Sequence, residues 1–276
     1  MLPLKGLKVL DFSHAADGPM CGFMLAEAGA DVIKVEPLHG EPYCQGGVAT
    51  AFFNANRNKR SLAIDLRKPE GLEIALKLAA GSDILLESFT PGTASNMGIG
   101  YEEISRINPR IIYCSISGFG QTGPYSQRPA YDPVTQAMSG FMAVTGEDGR
   151  QPVRVGPGVI GLGTAFIAAY GILLAVMMRE KDGKSRYIDA AFFDTAIFFY
   201  ELHHHRLLIN RTFSATHGIK QPRLCPLPVL QSLRQVRFYR RHAGAFLARL
   251  LPGDQHGIPG KRHPLRHQCQ EAGTPQ

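Results

Sequence analysis

The stretch LKVLDFSHAADGPMCGFMLAEAGADVIKVE, residues 7–36, decides the fold. Residues 7–12 form a short apolar run that is typical of a strand buried on both faces. Gly18 and Pro19 interrupt the pattern, residues 20–29 predict a helix, and residues 30–36 predict a second strand. A strand, a helix and a strand in this order predict parallel strands covered by helices.

The same alternation continues through the first two-thirds of the chain. Strands are predicted at 60–66, 83–89 and 110–117, with helices at 69–80 and 101–107 between them, and residues 187–199 predict a strand that leads into an apolar helix. In parallel sheets ligands bind beyond the carboxyl ends of the strands, so the loops after these strands are the candidate sites. None of these loops contains GxGxxG or GxxxxGK[ST], which removes the usual support for dinucleotide or P-loop phosphate binding.

Composition indicates a soluble globular protein. The chain has 276 residues, 44% hydrophobic and 19% charged, which excludes a collagen-like repeat, a disulfide-rich miniprotein and a wholly disordered chain. Five scattered cysteines without a CxxC pair, and a start without an apolar signal segment, favour reduced thiols. We expect a cytoplasmic protein, with a mitochondrion or a peroxisome as alternatives in a eukaryote.

The net charge of +7 divides unevenly along the chain. Residues 1–201 hold 18 Lys and Arg against 21 Asp and Glu, whereas residues 202–276 hold 12 against 2 and also eight of the ten histidines. We predict two parts: a domain at 1–201 and a basic His/Arg/Pro-rich tail at 202–276, partly helical or disordered and expected to be a frameshifted or truncated continuation. The alternative is a genuine tail.

The tail contains a run of histidines and a stretch rich in arginine. Consecutive histidines at 203–205 point in three directions on a helix, so we expect no metal site there. Five arginines between 234 and 249 form a basic stretch without a recognised motif, so we expect no nucleic acid as a partner.

Residues 159–178 carry no charge and are long enough to span a bilayer. Three glycines break this run, and no second apolar segment accompanies it. We therefore expect a buried core helix that begins near Gly163, and no membrane as a partner.

Several stretches together resemble family III CoA-transferases, which include formyl-CoA, carnitine and succinyl-CoA:glutarate CoA-transferases and are related to α-methylacyl-CoA racemases. The stretches are LKGLKVLDFSHAADGPMCGFMLAEAGADVIKVEP (4–37), NRNKRSLAIDLRKPEG (56–71), DILLESFTPGTASNMGIGYEEISRINPRIIYCSISGFGQTGP (83–124), RPAYDPVTQAMSG (128–140) and the VGPGVIGLGT region that leads into GILLAV (155–176). The resemblance covers about residues 4–215, and its motifs are specific as a set.

The resemblance implies a Rossmann-like α/β domain and a small domain, in two protomers that interlock as linked rings. It also implies that an aspartate carboxylate attacks the acyl-CoA thioester and forms a mixed anhydride and then an enzyme thioester, so that CoA passes to an acceptor acid. This is covalent catalysis, in which one difficult transfer becomes several easier steps. The implied partners are an acyl-CoA and a small carboxylic acid. CoA or acyl-CoA would be the substrate, and no permanently bound cofactor or metal is expected.

The resemblance places the family's nucleophilic aspartate at Gly161. Glycine cannot form an acyl-enzyme, and no acidic residue lies between Asp148 and Glu180. We therefore expect this chain to be an impaired CoA-transferase. An acidic side chain from elsewhere in the chain at position 161 would overturn that expectation.

Asp132, in RPAYDP, matches an acidic position that lies near the active site in the transferases. The alternative is a cap or an ion-pair residue in the turn before Pro133. The racemases have a histidine base just before this aspartate, whereas this chain has Tyr131. The phenol has a reference pKa near 10, so it is a poor base at neutral pH, and this argues for a transferase.

The resemblance also assigns positions that contact CoA. Arg67 takes a basic position suited to a CoA phosphate, and Phe89 an aromatic position near the adenine, although a solvated arginine and a core aromatic would explain them as well. A cluster formed by Arg57, Lys59 and Arg60 suits phosphates or is solvated surface charge. The full set of predicted CoA-binding residues is Ala15, Ala16, Arg67, Ser88, Phe89, Asn96 and Met97.

Family members run to about 400 residues as a matter of resemblance, so the chain is expected to be truncated before the small domain. We therefore expect a CoA-transferase that moves CoA between an acyl-CoA and a carboxylic acid of the dicarboxylic class. Two alternatives stay open: an inactive CoA-binding remnant and a racemase relative. The homodimer of the family is not established for this chain.

Overall fold

A computed structural model describes residues 2–41, 49–147 and 150–199 of this protein. The boundary predicted at residue 201, the basic tail, the histidine run at 203–205 and the arginine stretch at 234–249 lie outside the described residues.

Six parallel strands form one sheet in the order β3-β2-β1-β4-β5-β6. The strands run at Lys8–Asp11 (β1), Asp31–Glu36 (β2), Lys59–Ala63 (β3), Ile84–Glu87 (β4), Ile112–Ser117 (β5) and Arg186–Ala191 (β6). This is the strand order of Rossmann folds, in which the direction of winding reverses between β1 and β4. The predicted α/β class and the Rossmann-like parallel sheet are therefore confirmed.

Helices cover both faces of the sheet. They run at Asp17–Glu27 (α1), Ala49–Asn56 (α2), Pro69–Ala80 (α3), Thr93–Asn96 (α4), Tyr101–Ile107 (α5), Asp132–Ser139 (α6), Val159–Asp182 (α7) and Phe192–Phe199 (α8), with a short 3₁₀ turn at Phe141–Val144. Because successive side chains of a strand point to opposite faces, Val9 of β1 packs with α1 and α7, whereas its neighbour Leu10 packs with α3 and α5. This alternation creates two cores, one on each face.

The central strands β4 and β5 are buried along their whole length because helices cover them on both sides. Every residue of β4 and β5 is buried, whereas the edge strand β3 has exposed positions along its length. Strand β3 ends at Ala63, earlier than the predicted residue 66. The apolar residues Ile64 and Leu66 lie in the following loop, where they line a cavity and not the sheet.

Helix α7 is the one helix in the described part of the chain that is long and apolar enough to cross a membrane. Half of its apolar window is buried inside the protein, where Ala165, Ala168 and Ile172 pack with α1 and the sheet. The opposite side exposes Phe166, Tyr170 and other large apolar side chains. The core-helix interpretation accounts for the buried face, and the helix begins at Val159, four residues before the predicted start.

Two glycines in α-helices have different surroundings. A Cβ on Gly71 of α3 would lie 2.1 Å from the backbone oxygen of Asp65, whereas a Cβ on Gly171 of α7 would make ordinary contacts with Ile188 at 3.5 and 3.9 Å. The backbone of residue 65 belongs to the loop after β3, so α3 sits against that loop only because residue 71 lacks a side chain.

We expect Gly71→Ala to destabilise the fold by about 1–3 kcal/mol, because the loop or the helix must move. Gly171→Ala is the matched control and is expected to stabilise the fold by about 0.5–1 kcal/mol, because alanine restricts the unfolded chain and favours the helix. Thermal unfolding followed by circular dichroism measures both changes. Equal midpoints for the two variants would contradict the tight packing at residue 71.

Candidate active site

The loops that follow β1 and β4 meet at the point where the strand order reverses. The backbone N–H of His14, after β1, donates to Ser88 Oγ, after β4, at 2.8 Å. The rings of His14 and Phe89 lie 5.0 Å apart between centroids, at an interplanar angle of 57°. In open parallel sheets this is the place where the two loops diverge and leave a crevice for a ligand.

A cavity of about 360 Å³ opens at this edge of the sheet. That volume is within the range of small-molecule sites. Three residues that the sequence predicts for a CoA site, Arg67, Phe89 and Met97, line it. The walls come from the ends of four strands, and the remaining lining residues are Phe12, His14, Val35, Glu36, Pro37, Leu38, His39, Ile64, Asp65 and Leu66.

His14 presents an uncharged ring to this cavity at neutral pH. Burial lowers the pKa of the imidazole to about 4, and the nearby Lys34 ammonium lowers it as well. A neutral imidazole beside Phe89 offers a flat surface on which a heteroaromatic ring can stack. The sequence analysis did not select His14, because a single histidine in a loop carries no signal of its own.

Arg67 is held at the rim of the cavity by Asp65. Its Nε and Nη2 atoms donate to the two carboxylate oxygens at 2.9 and 3.1 Å, and the side chain is 87% exposed. The pairing raises the pKa of Arg67 and lowers that of Asp65. The guanidinium carries five N–H donors, so this fork leaves donors for a phosphate.

The other predicted CoA-binding residues have mixed positions. Ser88 supports the crevice through His14, while Ala15 and Ala16 follow His14 in the same loop and are partly buried. Ala15 adopts a φ of +67°, a conformation that is uncommon for a residue with a side chain. Asn96 is exposed at the end of α4 and is not among the residues that line the cavity.

A buried ion pair under α1 positions the loop after β1. Lys59 Nζ lies 2.8 Å from Asp11 Oδ2, and both side chains are almost completely buried. The same ammonium donates to the backbone oxygen of Pro19 at 2.7 Å and to Asn56 Oδ1 at 2.8 Å. Its three N–H groups therefore have three partners, which join β1, β3, α1 and α2.

The surrounding charges set the ionisation of this pair. Burial alone would raise the pKa of Asp11, but the ammonium groups of Lys59 and Lys34 hold it below the ordinary value. Burial lowers the pKa of Lys59, and the Asp11 carboxylate opposes that change. The proposed phosphate role therefore does not fit Lys59, whose charge is used inside the protein. Arg60 pairs with Asp31 at the opposite edge of the sheet, and Arg57 lies over the ring of Phe23.

A second buried ion pair holds the loop after β1 through its backbone. Lys34 Nζ lies 3.2 Å from Glu41 Oε2 and also donates to the backbone oxygen of Ser13. Glu41 in turn accepts the backbone N–H of Ala15. Residues 13–15 are therefore held by charged side chains on both sides.

Asp132 caps helix α7. Its Oδ2 accepts the backbone N–H groups of Ile160 at 2.7 Å and Gly161 at 2.9 Å, and Gln136 donates to Oδ1. The sequence leaves two alternatives for Asp132: an active-site acid, or a cap or ion-pair residue in the turn before Pro133. The structure shows a cap, but of the first turn of α7 and not of its own turn. Tyr131, beside it, is 65% exposed.

Position 161 faces an acidic side chain from another helix. A Cβ on Gly161 would lie 2.4 Å from Cγ of Asp17, and 2.3 and 2.6 Å from its two carboxylate oxygens. Asp17 is the first residue of α1 and belongs to the loop-helix junction after β1. Burial raises the pKa of Asp17 to about 6, and the Asp132 carboxylate contributes to the increase. The sequence analysis did not identify Asp17 as a site residue.

A second cavity of about 310 Å³ lies beyond β4, β5 and β6. Glu87 lines it at the end of β4, together with Tyr101, Ser115 and Tyr187. Burial raises the pKa of Glu87 to about 7. Position 161 does not line this cavity, and nor does any predicted CoA-binding residue.

Metal ligation is not supported by the described side chains. Within residues 2–41, 49–147 and 150–199, no three or more His, Cys, Asp or Glu side chains are grouped so that they could hold a metal ion. The histidine run at 203–205 is outside these ranges.

The strand order and the crevice define the class of protein: a Rossmann-like α/β protein with a cavity of about 360 Å³ at its switch point. Residues 4–237 match CoA-transferase family III, so the chain belongs to that family.

Individual relatives agree with this assignment. The chain is 43% identical over 194 residues to succinyl-CoA:glutarate CoA-transferase from Homo sapiens, which covers 68% of this chain and 44% of the relative. It is 38% identical over 241 residues to acetyl-CoA:oxalate CoA-transferase from Acetobacter aceti, covering 83% of this chain and 61% of the relative. A CAIB/BAIF family protein from Brucella suis has a TM-score of 0.77 at 36% identity, covering 81% of this chain and 62% of that one. The chain thus spans about half of the human relative's length and three-fifths of the other two.

We expect Asp17→Asn to be more stable than the unaltered protein at pH 7.5, because it removes a poorly solvated negative charge. A carboxyl group whose pKa is raised on folding, here from 3.8 to about 6, lowers stability as pH rises through that window. The difference between the two proteins should therefore shrink as pH falls from 6 to 4. Thermal midpoints across pH 4–8 measure it.

The matched control is Asp31→Asn, because Asp31 is a surface carboxylate that pairs with Arg60. This variant should show no stability gain that appears between pH 4 and pH 6. A constant difference between Asp17→Asn and the unaltered protein at every pH would contradict the raised pKa.

Proposed function

We propose that this chain supports CoA transfer, in which CoA moves from an acyl-CoA to a carboxylic acid through an acyl group bound to the protein. The observation that carries the proposal is the crevice at the switch point, lined by Arg67, Phe89 and Met97. Membership of CoA-transferase family III supports it. The catalytic strategy is covalent, since a bound intermediate divides one difficult transfer into easier steps.

The crevice has the chemistry that a CoA nucleotide requires. The adenine would lie against Phe89 and the neutral ring of His14, among the apolar side chains of Val35 and Ile64. A phosphate would meet the exposed guanidinium of Arg67 as a charge-assisted partner. Apolar walls with a few fixed polar groups are what small-molecule sites typically provide.

The acceptor is proposed to be a dicarboxylic acid. Relatives are named for glutarate, oxalate and L-malate as the acids that take CoA. These acids share two carboxyl groups at different spacings, so they define a substrate class rather than one compound.

Catalysis of CoA transfer by this chain depends on a carboxylate that can attack the thioester. Gly161 cannot attack a thioester, since it has no side chain. If no other carboxylate takes its place, the chain is an impaired transferase or a CoA-binding remnant. Removal of a covalent nucleophile costs on the order of 10⁴-fold or more in rate.

We expect Arg67→Ala to weaken CoA binding by about 10- to 150-fold, because one charge-assisted hydrogen-bonded contact to phosphate contributes about 1.5–3 kcal/mol. Isothermal titration of the full chain with CoA measures the affinity. Lys68→Ala is the matched control, because Lys68 is the next residue, carries the same charge and is exposed, but does not line the cavity. Equal losses in the two variants would show that only general surface charge is at work.

Transfer itself is tested with succinyl-CoA and a panel of carboxylic acids. We expect the full chain to form new acyl-CoA with dicarboxylic acceptors more readily than with monocarboxylic acids of the same length, as chromatography of the CoA esters would show. CoA binding without any transfer would favour the remnant. The absence of both binding and transfer would contradict the proposed function.

A further inference from the structure

Position 161 and the Asp17 carboxyl group compete for one volume. A Cβ on residue 161 would lie within 2.6 Å of both carboxylate oxygens of Asp17, closer than non-bonded atoms can approach. Asp17 therefore fits where it does only because residue 161 is glycine. The carboxyl group of α1 lies where a side chain from the first turn of α7 would begin.

The packing of α1 holds Asp17 at this place. The neighbouring Gly18 has no room for a Cβ, which would lie 2.4 Å from Cβ of Ser13 and 3.1 Å from Cβ of Ser88. Ser13 and Ser88 belong to the two loops that form the crevice. The first turn of α1 is thereby fixed against the walls of the proposed CoA site, three residues after His14.

The two acids at this junction have different roles. Asp132 accepts hydrogen bonds from two backbone N–H groups of α7 and from Gln136, so its oxygens are occupied in holding a helix end. Among the described residues, no side chain or backbone group donates a hydrogen bond to the Asp17 carboxylate. Asp17 is partly buried.

We propose that the Asp17 carboxylate is the nucleophile of this chain and attacks the acyl-CoA thioester in place of a side chain at residue 161. This inference rests on the proposed function, and it changes the expectation that Gly161 makes the chain an impaired transferase. The carboxylate that the reaction needs beside residue 161 would then come from Asp17 of α1 and not from a side chain of α7.

The proposed steps balance without a further reactant. An oxygen of Asp17 bonds to the thioester carbonyl carbon, the C–S bond breaks, and CoA leaves as a thiolate, which leaves Asp17 in a mixed anhydride. The thiolate then attacks Cγ of Asp17 and releases the donor acid as a carboxylate. The acceptor carboxylate next attacks Cγ of this enzyme thioester and expels the thiolate, which finally attacks the acceptor carbonyl carbon and frees Asp17.

The surroundings of Asp17 suit this chemistry. With a pKa of about 6, the side chain is ionised at neutral pH and more basic than an ordinary carboxylate, and a more basic oxygen is the stronger nucleophile in reactions that follow Brønsted behaviour. Glycines at 156 and 158 flank the same junction. A Cβ on Gly156 would meet nothing within 4 Å.

The first experiment traps the intermediate. The full chain is incubated with succinyl-CoA, treated with hydroxylamine and digested, and we expect peptide mass spectrometry to find a hydroxamate at Asp17. Asp17→Asn and Asp17→Ala should lose the adduct and about 10⁴-fold or more of the transfer rate, while both still bind CoA. Asp31→Asn, a surface carboxylate at the opposite edge of the sheet, is the control that should keep the adduct.

The second experiment moves the carboxylate. Gly161→Asp alone requires the Asp17 carboxyl group to move and brings two carboxylates together at one junction. The double variant Asp17→Ala with Gly161→Asp removes that overlap, and it should form the hydroxamate at residue 161. A purely space-filling role for Asp17 predicts no adduct in the unaltered chain and an adduct in the double variant.

The outcomes separate the two proposals. An adduct at Asp17 that is lost in Asp17→Asn supports the inference. Transfer with an adduct at another residue, or transfer that survives Asp17→Asn, overturns the inference and leaves the proposed function in place. CoA binding without an adduct in the unaltered chain also overturns it, whereas failure to bind CoA at all contradicts the proposed function itself.

Discussion

The ion pair between Lys59 and Asp11 is the interaction on which the described architecture depends. Its ammonium group reaches from the edge strand β3 to the end of β1 and also binds the backbone of α1 and the side chain of Asn56. A buried charge without its partner is strongly destabilising, so these elements can only be assembled together. Gly22 of α1 leaves the space, since a Cβ there would lie 2.6 Å from the Asp11 carboxylate.

The position of the candidate site follows from that pair. Asp11 ends β1, and the loop after it is further fixed by Lys34 and Glu41. Because α1 is fastened to the same ammonium through Pro19, the loop and the first turn of α1 have little freedom. His14, in the loop after β1, lines the cavity. Asp17, where the same loop joins α1, lies beside Gly161 of α7. The site is preorganised by charges that lie outside it.

The sequence was sufficient for the elements whose signal is local. Apolar runs located the six strands to within a few residues, and Tyr101–Ile107 has the bounds that were predicted. Helix α6 was not predicted, since Asp132–Ser139 contains few apolar residues and its buried side chains are polar. The two sequence interpretations of Lys59, a phosphate contact and solvated surface charge, do not fit its buried ammonium group, because burial of its partner Asp11 cannot be recognised from spacing. Among the predicted site residues, Arg67, Phe89 and Met97 share the cavity.

The position of Asp17 in the sequence gives no sign that it lies beside Gly161. No acidic residue lies near Gly161 in the chain, whereas the parallel sheet places the first turn of α7 beside the first turn of α1, more than a hundred residues away. A reaction that requires a carboxylate requires it at a point in space, within reach of the substrate and at a suitable pKa, and not at a position in the chain. A glycine at a predicted nucleophile position can therefore mark the place that another side chain occupies. Gly161 and Asp17 form one structural feature, because the Asp17 carboxyl group occupies the volume that a side chain at residue 161 would need.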